Sequence, residues 1–139
     1  MSQMSDYLEQ TILNHIFRSN TFTKPTVLYI ALLNNPATDA DSGTTILSKE
    51  PSAGSYTRKP VSVTDNQWSS PGVGGSIANT SGTSWTATGG NFGMISGIAY
   101  CDASGAGNML FYGTLTTPRD VLSGESFTLP SGNLTATLA

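Results

Sequence analysis

From Asp6 to Arg18 the apolar residues Leu8, Ile12 and Ile16 recur every fourth position, and Leu13 widens the stripe. Glu9, Gln10, Asn14 and Arg18 fall away from it, so the spacing predicts an amphipathic helix over residues 6–18. Asp6 with Glu9 three residues on resembles a capping box, with Asp in place of Ser or Thr. The apolar side must cover something, and the chain's own sheet is the expected place, with docking on a partner subunit as the alternative. After Ser19-Asn20 the pattern changes. Thr26-Val27-Leu28-Tyr29-Ile30-Ala31-Leu32-Leu33 is a continuous apolar run rich in β-formers, which predicts a central strand. A long loop from Asn34 to Gly54 follows, then Tyr56 to Val63, where Pro60 limits the strand to a sheet edge or a bulge.

The middle, Trp68 to Gly90, is dominated by Gly, Ser, Thr and Pro, with a short strand predicted at Thr83-Ser84-Trp85-Thr86-Ala87. Strand signals return at Met94, Ile95, Ile98 and Tyr100, turn through Asp102 to Gly107 and come back along Asn108 to Gly113, the pattern of a hairpin. Ser126-Phe127-Thr128-Leu129 and Leu134-Thr135-Ala136-Thr137-Leu138 alternate apolar and polar on either side of Pro130 to Asn133. They predict a second hairpin with one buried face. Six to eight short strands with one N-terminal amphipathic helix point to a mainly β chain, an antiparallel β-sandwich of jelly-roll or Ig-like kind, with an open barrel as the alternative.

Composition narrows this reading. With 139 residues, a single domain over 1–139 is expected. Hydrophobic residues make up 37% and charged residues 11%, against roughly 25% charged in ordinary domains, and Ser and Thr fill the gap. Six basic residues scattered from Arg18 to Arg119, under a net charge of −3, argue against nucleic acid as a partner. The N-terminus lacks a basic and an apolar signal region, and no window approaches 18 apolar residues, so neither secretion nor membrane spanning is expected. Asn79-Thr80-Ser81 and Asn133-Leu134-Thr135 spell glycosylation sequons that read better as polar turn and strand residues.

Candidate chemistry is sparse. His15 is the one histidine, on the helix and far in sequence from the one cysteine, Cys101, which ends an apolar strand and reads as a small buried hydrophobe. Asp39, Asp41 and Glu50 occupy positions 1, 3 and 12 of a calcium-loop spacing. Gly43 and Thr44 spoil the pattern between them, and Pro36 and Pro51 deny the flanking helices, which leaves a solvated acidic loop. Gly72-Val73-Gly74-Gly75 and Gly105-Ala106-Gly107 lack the Lys-Ser/Thr and helix of a phosphate loop and read as turns. No catalytic residue, metal or cofactor is assigned, and an enzyme is not expected. Trp68, Tyr56 and Trp85 are the side chains expected at a partner surface, Trp being enriched at interface hot spots.

Several segments together resemble a family of small bacteriophage virion structural proteins, often labelled tail-fibre or structural proteins. They are Asp6-Tyr7-Leu8 with Leu13 to Arg18, Val27 to Leu32 with Pro36, Gly54-Ser55-Tyr56-Thr57-Arg58, and Ile98 to Asp102. Leu110-Phe111-Tyr112-Gly113-Thr114-Leu115-Thr116-Thr117-Pro118 carries the most recognisable stretch, followed by Val121, Ser123-Gly124-Glu125 and the final Leu134 to Leu138. Ser55 and Thr57 depart from the family's pattern. The resemblance implies a virion component, made in the host cytoplasm, whose partners are other virion proteins, either the major capsid protein or tail proteins, and copies of itself. Within it, a head decoration or cement role is favoured because the chain carries neither the repeats nor the heptads of a fibre shaft. A tail, baseplate or fibre role is the alternative, and a carbohydrate-binding module using Trp68 or Trp85 is a reading of another class.

Overall fold

The structure, a computed structural model, describes residues 2–138. In chain order its elements are β1 (Ser2–Met4), α1 (Asp6–Phe17), β2 (Val27–Leu33), a 3-10 turn (Thr45–Lys49), β3 (Lys59–Ser62), β4 (Ser76–Ala78), β5 (Thr83–Thr86), β6 (Gly93–Cys101), β7 (Met109–Val121), β8 (Ser126–Leu129) and β9 (Thr135–Thr137). β1, β7, β6, β2 and β3 form a five-stranded antiparallel sheet in that order. β4 pairs with β9 and β5 with β8 as two antiparallel ribbons that supply apolar side chains to the same core. The result is the expected mainly β, sandwich-like arrangement with one N-terminal helix.

β2 explains the layering. Its side chains alternate between the two faces, yet Ile30, Ala31, Leu32 and Leu33 are all buried, because each face of this strand is covered. On one face Ile30 and Leu32 stand opposite Tyr100 and Ile98 and join Trp68, Trp85, Phe92 and Phe127 in the main core. The other face is thinner. There Ala31 pairs with Ala99, and these small residues let the 3-10 turn approach closely enough for Ile46 to pack with Leu33, Cys101 and Met109. β3, with Pro60 opposite Tyr29, lies at the sheet edge as its proline requires. In β5 and β8 the alternation is clean, with Trp85, Phe127 and Leu129 buried between exposed residues.

Three local expectations change. The helix is capped by Ser5 rather than Asp6: Ser5 Oγ accepts the Leu8 amide at 3.3 Å and donates to the Met109 carbonyl, tying the helix start to β7. The predicted second hairpin does not form. Its strands exist, but β8 pairs with β5 and β9 with β4. The turn between them is instead fastened to buried Asn79, whose side chain accepts the Leu134 amide at 2.9 Å and donates to the Pro130 carbonyl at 3.2 Å. Finally, the helix stripe does not lie along the sheet. Leu8 is buried, but Leu13, Ile16 and Phe17 remain 57%, 63% and 78% exposed.

Candidate functional site

Below the thin face, a polar clamp holds three loops. Arg58, just before β3, is buried and donates from Nε at 2.9 Å and Nη2 at 2.6 Å to Glu50 Oε1. Its remaining donors reach the carbonyls of Gly43 at 2.6 Å and of Ala103 and Ala106 at 3.0 Å. Burial works against the guanidinium's charge, and the Glu50 carboxylate outweighs it, holding Arg58 above its ordinary range. Tyr56 extends the chain of bonds. Its hydroxyl donates to Glu50 Oε2 at 2.8 Å and accepts the Leu32 amide at 3.0 Å, beyond the last β2 residue that β3 reaches. Burial and the adjacent carboxylate push the Tyr56 phenol well up.

The geometry demands glycine at one place here: a Cβ on Gly43 would collide with the Ala106 carbonyl. Ala106 itself is left-handed, φ 46°, in the turn that presents its carbonyl to Arg58. Glu50 is therefore a buried ion-pair partner and not part of a solvated acidic loop. Asp41 goes elsewhere. It takes Lys49 Nζ at 2.6 Å and hydrogen bonds from Thr38 and Thr45. Burial alone would raise its carboxyl, and these bonds hold it well below the usual range. The clamp spends its charges on one another, and that is a structural role. Among the described residues, no group of three or more His, Cys, Asp or Glu side chains converges as a metal site would require.

The other sequence candidates fall into place one by one. His15 Nδ1 accepts the Phe22 amide at 3.2 Å, closing the turn after the helix. Cys101 is buried, and burial pushes its thiol up to about 12, far from a reactive thiolate. Trp85 is 1% exposed, with its indole N–H donated to the Thr57 carbonyl at 3.0 Å. Trp68 is 8% exposed and donates to the Ser62 carbonyl at 3.1 Å. Tyr56, the third side chain expected at a partner surface, is engaged in the clamp. Trp68 also borders a cavity of about 630 Å³ whose walls include Leu28, Ile77, Tyr100 and Phe111, with Lys24 and Asp65 among its lining.

The broad apolar surface left open is the second half of α1, where the less favoured expectation, docking on a partner subunit, has room. Leu13, Ile16 and Phe17 share one side of the helix through their three- and four-residue spacing. The stripe was visible in the sequence, but its lack of cover was not, because only the tertiary placement of the helix decides it.

Buried packing, a clamp of mutually satisfied charges and an uncovered helix face describe a contact protein, and sequence comparison supplies its class. Residues 3–137 match a family model of phage fibre proteins, so the chain is a structural component of a bacteriophage virion. The model is that of the podophage GP4 fiber I protein gp80, and the chain belongs to this family. Comparison with curated proteins gives no match. No helix among the described residues is long and apolar enough to cross a membrane.

Proposed function

We infer that this chain is a non-enzymatic subunit of a podophage fibre or tail assembly, a single domain anchored to a neighbouring virion protein through the second half of α1. The carrying observation is the exposure of Leu13, Ile16 and Phe17 on a helix whose start is fixed to the sheet. Such a cluster raises the free energy while it stands in water and lowers it when covered by protein. A fibre family supplies the occupant, another protein of the same particle. Stable interfaces bury about 800 Å² on each partner, more than three side chains provide, so the helix serves as the anchor of a wider contact. The fibre description weighs towards the tail side over the head-cement role that the lack of repeats and heptads favours.

Particles carrying a photo-crosslinking residue at position 17 test this. After irradiation and separation of heads from tails, the adduct should join this chain to a tail or fibre protein. Adducts confined to the capsid shell would overturn the fibre placement, and particles that yield no adduct at all would overturn the helix as the anchor.

A further inference from the structure

No further inference is drawn: the strongest candidate, the apolar groove of about 630 Å³ between Leu28 of β2, Phe111 of β7 and the β4–β9 ribbon, is an unpartnered apolar face, and nothing in the structure shows what covers it.

Discussion

The two faces of the five-stranded sheet are held by different physics. One is an aromatic core, with Trp68 against Tyr100 at 6.3 Å, Tyr100 against Phe111 at 6.0 Å, and Trp85 against Phe127 at 6.2 Å. The other combines a small apolar cluster with the Arg58, Glu50 and Tyr56 clamp. Apolar packing is non-directional and tolerates adjustment, whereas a buried ion pair tolerates only its own geometry. The contrast explains why long loops without regular strands can cover the thin face. Their carbonyls at positions 43, 103 and 106 are bonded to one guanidinium, which fixes the loops where hydrophobic area is scarce.

The comparison is broken most severely by removing one charge of the clamp. Arg58→Met leaves Glu50 buried without its partner and frees three carbonyls, so a loss of about 3–5 kcal/mol is expected in denaturant unfolding. Adding Glu50→Leu should recover a substantial part of that loss, because two apolar side chains no longer strand a charge. If the double variant is less stable than Arg58→Met, the ion pair contributes more than its geometry implies. On the aromatic face, Leu134→Ala removes a fully buried side chain and should cost about 2–5 kcal/mol, according to how far the site collapses. No second substitution of the charge-removing kind should rescue it. Rescue there would show that the two faces are not distinct in the sense argued.

Alkali should sharpen the contrast. Tyr56, Tyr100 and Cys101 all have folded values raised above their ordinary ones, mainly by burial. For such groups the stabilising contribution is complete below the unfolded-state pKa and is lost as pH rises towards the folded value. Melting temperature should therefore hold from neutrality to about pH 9 and fall above it, where the unfolded thiol and phenols begin to ionise. Cys101→Ala should delay the onset of the fall, and an unchanged profile would assign the alkaline loss to the phenols alone. Asp41 has the opposite sign. Its depressed carboxyl contributes stability above the ordinary carboxylate range, which is lost only as strong acid protonates it.

How much of this was legible in the sequence follows from the range of each interaction. The helix, β2, the Pro60 edge and the β6–β7 hairpin rest on local periodicity and turn chemistry, and they stand where those patterns put them. The second hairpin failed because pairing is decided by partners about forty residues away: β8 alternates correctly but meets β5. Glu50 reads from the sequence as part of a solvated loop because nothing near it announces Arg58, eight residues on, as its buried partner. The N-cap moved from Asp6 to Ser5 because a tertiary bond to Met109 favours serine there, a contact no local motif encodes. The bulge in β7 was equally hidden. The expected strand stops at Gly113, and only the register with β6 shows that β7 runs on to Val121 with Leu115 to Pro118 opposite the single residue Ser96.

The smallest effect on stability should accompany the largest effect on assembly. Ile16 and Phe17 stand mostly in water, so Ile16→Asp with Phe17→Asp removes almost no buried area. Each change should shift unfolding by less than about 0.5 kcal/mol, the usual span for surface positions. In the particle the same two carboxylates would face a partner's apolar surface, where an unpaired charge is strongly disfavoured. The doubly substituted chain should therefore fold and melt like the parent yet be displaced by it when both compete for incorporation into virions. If it is incorporated equally, the helix face stays wet in the particle, and the anchor must be sought elsewhere, first at the cavity bordered by Trp68 and Phe111. If it melts far below the parent, the helix end is packed after all, and the division between a first turn anchored by Ser5 and Leu8 and a free second half of α1 fails with it.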